Sequence, residues 1–229
     1  MLGYVYGKML YNTPSGSCLS SLNQGGKPTP CCSAYRSLIS LHHHTSIVTI
    51  MASSEAPHII FGCGGLGNEF VGATNSSNSS VRELLELLKE AGINRLDTAA
   101  LYPPSDIGAS QRLLGQVGAA RLGFIIDTKV LISMSGFKGT LEPEKIAKSI
   151  AESHEALRFG DGQRINVFYP HAPDVATPLK DQAAGFHEQY KKGLFDKLGV
   201  CNFPADMLAE FIDICEREGY VKPTVHQGL

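Results

Sequence analysis

A chain of 229 residues with 43% hydrophobic and 18% charged residues has the composition of a folded protein, which excludes disorder or a collagen-like repeat as its main theme. Its 20 basic and 22 acidic residues leave a formal charge of −2, so there is no electrostatic footprint for nucleic acid or an anionic membrane. No run reaches the roughly 20 apolar residues of a membrane helix, because Ser, Gly, Asn or a charge interrupts each one. The six cysteines, at 18, 31, 32, 63, 201 and 215, show neither a CxxC pair nor zinc-site spacing and read as the reduced thiols of a cytoplasmic protein.

Residues 1–54 contain no Asp or Glu, are rich in Ser, Gly, Pro and His, and sustain neither a helical nor a strand period. They read as a disordered or leader segment, and residues 55–229 as the folded domain. A mitochondrial transit peptide is one alternative, although Lys8, Lys27 and Arg36 are few for a class that is usually Arg-rich. Translation from upstream of a true start at Met51 is another. His42, His43 and His44 form a solvated run with no further metal ligand beside them.

The domain then alternates two patterns. Short apolar runs occur at HIIFGCG, NRLDTA, FIIDTKV, INVFYPHAP, KLGVCNF and PTVHQGL, and a helical stretch follows each but the last. Near-continuous apolar runs suit strands buried on both faces. Ser80 and Glu83 predict a capping box ahead of Leu84, Leu85, Leu87 and Leu88, with Gly92 as the stop. Pro143 suits a first turn ahead of Ile146, Ile150 and Leu157, closed by Gly160. Met207, Leu208, Phe211, Ile212 and Cys215 draw the last stripe, ended by Gly219.

Six strands joined by crossover helices imply a parallel sheet, either an open doubly wound sheet or a (β/α)8 barrel. Gly62, Gly64 and Gly67 satisfy GxGxxG after the first strand, but a dinucleotide fingerprint opens directly into a helix. Here a Gly/Asn/Ser-rich stretch intervenes from Asn68 to Ser80, so the motif reads as a turn.

Polar residues collect at successive strand ends: Asp97 after the second strand, Tyr102 in the loop behind it, Lys129 after the third and His171 after the fourth. Each alone has a plainer explanation, as a helix cap, a rim aromatic, a surface charge and a satisfied polar residue. Together, on the one face where parallel strands deliver their carboxyl ends, they make a coherent acid. A tyrosine of ordinary pKa about 10 donates poorly at neutral pH, and a neighbouring ammonium favours its ionised form. A carboxylate would hold that ammonium, a histidine would direct the substrate oxygen, and the phenol would protonate an oxygen gaining negative charge.

NRLDTAALYPPSDIGASQRLLG, FIIDTKV, INVFYPHAPD and KLGVCNF followed by PTVHQGL resemble successive motifs of the aldo-keto reductases, most closely the aflatoxin-aldehyde reductase branch, from about His58 to Leu229. The resemblance implies a TIM barrel of the aldo-keto reductase type, (β/α)8, and NADPH-dependent reduction of a small aldehyde or ketone to an alcohol. It assigns Tyr102 as general acid, Lys129 and Asp97 as its tuning partners and His171 as the carbonyl-orienting group. Toward the cofactor it points to Asn202 and Gln227 at the nicotinamide carboxamide, to Cys201 where the branch usually has serine, to Asp97 again, and to Gly64 in the first strand's loop. A homo-oligomeric partner is left open beside the small-molecule carbonyl substrate.

Six strands are two fewer than the family barrel has, and residues 51–229 fall short of the ~250 of a typical eight-unit barrel. The expectation is a barrel truncated after about the sixth strand, whose edges need water, another chain or a rearranged strand to satisfy them. A non-catalytic NADPH-binding or regulatory subunit on the same scaffold, or an inactive fragment, are the competing readings.

Overall fold

The protein is represented by a computed structural model that describes residues 10–11, 58–68, 77–133 and 138–228. The expectations for residues 1–54, including the histidine run and three of the cysteines, therefore lie outside the described residues apart from one short strand. That strand, β1 (Leu10–Tyr11), is followed by β2 (Ile60–Gly62), α1 (Asn78–Glu90), β3 (Arg95–Asp97), α2 (Ala109–Gln116) and β4 (Ile125–Lys129). Next come α3 (Pro143–Leu157), β5 (Ile165–Tyr169), α4 (Leu179–Lys191), β6 (Phe195–Cys201), α5 (Ala205–Glu218) and β7 (Pro223–Gln227).

Strands β2 to β7 pair in chain order, each parallel to the next. All six strand readings from the sequence hold, and the alternation with helices is that of a partial (β/α)8 barrel. Sequential order also decides against the open doubly wound sheet, in which the strand order reverses at a switch point. β1 lies antiparallel on the outer edge of β7, Leu10 opposite His226 and Tyr11 opposite Val225. That edge of the sheet thus has a partner, and β2 forms the other edge.

Helices pack along the sheet, and strand residues outside those contacts, Val167, Tyr169, Cys201 and Val225, are buried as well, which accords with the near-continuous apolar strands. At one end α1 and α2 pack Val81, Leu85, Leu88 and Leu114 against Leu96 and Ile126. Further along, α3 to α5 pack Ile146, Ile150, Phe186 and Phe211 against Ile165, Phe168 and Leu198. Phe168 sits at the centre, its ring 5.7 Å from that of Phe186 and 5.6 Å from that of Phe195. Val167, Tyr169, Cys201 and Val225 form a smaller buried cluster of their own.

Two glycines permit approaches no side chain would allow. A Cβ on Gly115 would overlap the Ala156 carbonyl oxygen, so α2 and α3 meet backbone to backbone. One on Gly199 would overlap the Tyr169 ring, which packs against β6 at that point.

The helices correct the sequence reading in three places. The capping box of α1 is built by Ser77 and Ser80, three residues before the predicted Ser80 and Glu83 pair, because Ser80 itself occupies the third helical position. Leu87 is 62% exposed, off the stripe of Val81, Leu85 and Leu88. Helix α3 ends on Arg158 in the left-handed conformation, two residues before Gly160. Gly92 and Gly219 adopt the left-handed conformation expected of them, and Pro143 opens α3.

Candidate active site

Ladder hydrogen bonds carry the parallel pairing to the carboxyl ends of the strands, where the site lies. Cys63 N donates to Asp97 O at 2.8 Å, Thr98 N to Asp127 O at 2.9 Å, Val130 N to Tyr169 O at 2.8 Å, and Asn202 N to Gln227 O at 2.8 Å. Side chains leaving these ends have anchored backbones. The loop that carries Tyr102 closes on itself, with Arg112 bonding Asp106 at 2.7 Å and the Ile107 carbonyl at 2.8 Å.

Lys129 ends β4 and is 1% exposed, so it is not the surface charge of the plain reading. Its Nζ donates to Asp97 Oδ1 and Oδ2 at 2.6 and 2.7 Å and to the Thr98 carbonyl at 3.0 Å. Burial alone would lower the lysine pKa, but the Asp97 carboxylate, with help from Tyr102, outweighs it and raises that pKa above the ordinary value. The ammonium therefore persists without bulk water. It lies 5.3 Å from the centroid of the Tyr102 ring and 5.7 Å from that of Tyr169.

Tyr102 and His171 meet edge to face, ring centroids 5.3 Å apart at 86°, with Tyr102 OH 3.4 Å from His171 Nε2. Burial, and then the Lys129 ammonium, push the imidazole pKa down to about 4. His171 is therefore neutral at pH 7 and has one N–H to place. Its Nδ1 is buried without a hydrogen-bond partner among the described residues. A buried N–H left unpaired is rarer than an under-satisfied acceptor, so the proton belongs on Nε2, facing Tyr102. The four residues read from the strand ends are thus brought together: Asp97 to Lys129, Lys129 to the Tyr102 ring, and Tyr102 to His171.

Residues expected to face a cofactor form an adjoining set. Gln227 Nε2 donates to Asp97 Oδ2 at 3.2 Å. Asn202, at φ 58°, donates to the His171 carbonyl at 3.2 Å and to Cys201 Sγ at 3.3 Å. Cys201 Sγ in turn lies 3.7 Å from Gln227 Oε1. Two primary amides at neighbouring strand ends offer donors and acceptors to a carboxamide, so the chemistry of this donor set fits a nicotinamide. Burial pushes the Cys201 thiol up to about 11, with Lys129 opposing and Asp97 adding, so it serves as a neutral hydrogen-bonding group. Gly64 lies beneath the phenol: a Cβ there would sit 3.8 Å from Tyr102 Cδ2 and Cε2.

The sequence reading passed over Thr98 and Tyr169. Thr98 acts through its backbone carbonyl, and a backbone group leaves no residue-type signal. Tyr169 sits inside an apolar strand run, where an aromatic reads as core.

Residues 58–229 match the model of the Aldo/keto reductase family. The chain belongs to the aldo/keto reductase family. Among curated proteins, this aldo-keto reductase chain is 31% identical to aflatoxin B1 aldehyde reductase member 2 of Mus musculus over 68% of its length and 40% of that protein's. An aldo-keto reductase of Pseudocercospora fijiensis is 31% identical over 63% of this chain and 47% of its own length. An oxidoreductase of Leptosphaeria maculans is 30% identical over 77% of the chain and 52% of its own. The chain spans about half the length of the curated relatives it matches.

Proposed function

We propose that the chain carries the reducing site of an NADPH-dependent enzyme that converts aldehydes or ketones to alcohols. The observation that supports this best is the line Asp97, Lys129, Tyr102, His171: a buried ammonium held by a carboxylate beneath a phenol whose hydroxyl meets a neutral imidazole at 3.4 Å. The names of relatives from the aflatoxin B1 aldehyde reductase group favour an aldehyde as substrate.

A carbonyl oxygen seated between Tyr102 OH and His171 Nε2 would receive hydrogen bonds from both. As the oxygen gains negative charge, Tyr102 gives it a proton, and the Lys129 ammonium stabilises the phenolate left behind. Asp97 keeps that ammonium in place, and His171, neutral and donating from Nε2, orients the carbonyl. Bound reduced nicotinamide would supply hydrogen together with its electron pair to the carbonyl carbon. Asn202, Gln227 and Cys201 would hold its carboxamide, with Gly64 leaving room for the ring.

The test is aldehyde-dependent NADPH oxidation by the purified protein, beside Tyr102→Phe. Turnover in the parent with at least a ~100-fold loss in the variant, in the range of general acid catalysis, supports the reading. Retained turnover in Tyr102→Phe overturns Tyr102 as the acid. Cofactor binding without turnover in the parent would instead mark a binding subunit.

A further inference from the structure

Outside the four residues already described, one fully buried side chain joins three segments that surround the phenol. Ser110 is 0% exposed in the first turn of α2. Its backbone N–H donates to the Tyr102 carbonyl at 3.1 Å, pinning the residue that carries the phenol. Its Oγ donates to the Cys63 carbonyl at 2.9 Å, and Cys63 immediately precedes Gly64, on which the Tyr102 ring rests. With that proton committed to a carbonyl, which can only accept, Ser110 Oγ receives the Thr98 hydroxyl at 2.8 Å. Thr98 is the residue whose own carbonyl accepts from Lys129 Nζ. One serine thus ties the backbone bearing Tyr102, the turn under its ring and the segment cradling the ammonium.

We propose that Ser110 is a positioning residue for the acid, setting the Tyr102 ring against Gly64 and Lys129. The role does not require Ser110 to touch the substrate; it acts through Tyr102 and rests on the reading of Tyr102 as acid. Its chemistry is specific. Alanine in its place takes from the Thr98 hydroxyl its bond to Ser110 in a dry site and leaves the Cys63 carbonyl only the local bond from Leu66 N at 3.1 Å, so the Gly64 turn loses its tether to α2. Thr98→Val removes only the outer bond and keeps the tether.

Two readouts test this on the intact chain. By NMR, the Gly64 α-protons of the parent are displaced upfield by the Tyr102 ring and show nuclear Overhauser contacts to its protons. In Ser110→Ala those contacts weaken and the shifts move toward ordinary glycine values, while Thr98→Val retains most of both. By kinetics, kcat for aldehyde reduction falls roughly ten- to a hundredfold in Ser110→Ala, the range expected of a misplaced catalytic group, with KM changed less than about twofold. Should Ser110→Ala fail to fold, Ser110→Cys, which keeps the size and a weak donor, takes its place and gives the same direction at smaller size. Unchanged Gly64 contacts overturn the proposal whatever the kinetics. A parent without aldehyde reduction overturns the function proposed above, and the NMR arm then decides the placement of the ring by itself.

Discussion

Lys129 Nζ donates to both carboxylate oxygens of Asp97 from a position that is 1% exposed, while the Asp97 side chain is 11% exposed. Pairs of this kind are held together as much by what happens when one partner leaves as by their mutual attraction. Lys129→Met should destabilise the fold by about 3–5 kcal/mol, because it strands a buried carboxylate. Adding Asp97→Leu to Lys129→Met should restore most of the loss, since the second change removes the stranded charge. Urea unfolding of the parent, single and double variants checks both; a single variant within ~1 kcal/mol of the parent would contradict the picture.

His171 gives a pH dependence of definite sign. Its folded pKa, about 4, lies below the ordinary ~6.5 of an unfolded histidine. The unfolded chain therefore takes up a proton that the native chain refuses, and stability is lost as pH falls from about 6.5 toward 4. At 1.36 kcal/mol per unit the full loss is on the order of 3 kcal/mol. His171→Gln should flatten this part of the profile, and the difference between parent and variant unfolding curves isolates it from the carboxylates.

Gly199→Ala should act through Tyr169. The new methyl would occupy space held by that ring, and overpacking of this kind costs about 1–3 kcal/mol. In a chain of this length that is a fall of roughly 2–4 °C in Tm per kcal/mol. Gly199→Ala combined with Tyr169→Leu should recover stability relative to Gly199→Ala alone, and calorimetry of the set decides it.

The thiols of Cys63, Cys201 and Cys215 should resist alkylation. Burial pushes all three upward, Cys201 and Cys215 to about 11 and Cys63 further, so little thiolate is present at pH 7.5. Peptide mapping after iodoacetamide should find these positions labelled only when the protein has first been unfolded. Rapid labelling of Cys201 in the native chain would mean that its neighbours leave it open.

Much of this site was legible because parallel strands impose a rule that spacing alone can follow: polar residues just past Asp97, Lys129 and Tyr169 must share a face. What strand periodicity could not reveal was the vertical order within the site. That Lys129 lies under the Tyr102 ring, and not beside it at the rim, depends on Asp97 and the Thr98 carbonyl drawing the ammonium inward. The start of α1 was misjudged for a local reason. Ser77, Ser79 and Ser80 stand close together, each a competent cap, and only the backbone bond from Ser80 N to Ser77 Oγ at 3.2 Å decides among them. Leu87 misled in the same way, since four leucines within five residues exceed what one helix face can bury.

The backbone contact between α2 and α3 at Gly115 bears on how this scaffold can be redesigned. Ser110 sits near the start of the same helix, so widening the helix contact would propagate to the residue that tethers the Tyr102 loop. A library built on this scaffold should leave Gly115 fixed and diversify Ile107 and Val175 instead. These two are 48% and 76% exposed, follow β3 and β5 in the loops that carry Tyr102 and His171, and have room for new side chains without disturbing the helix contact.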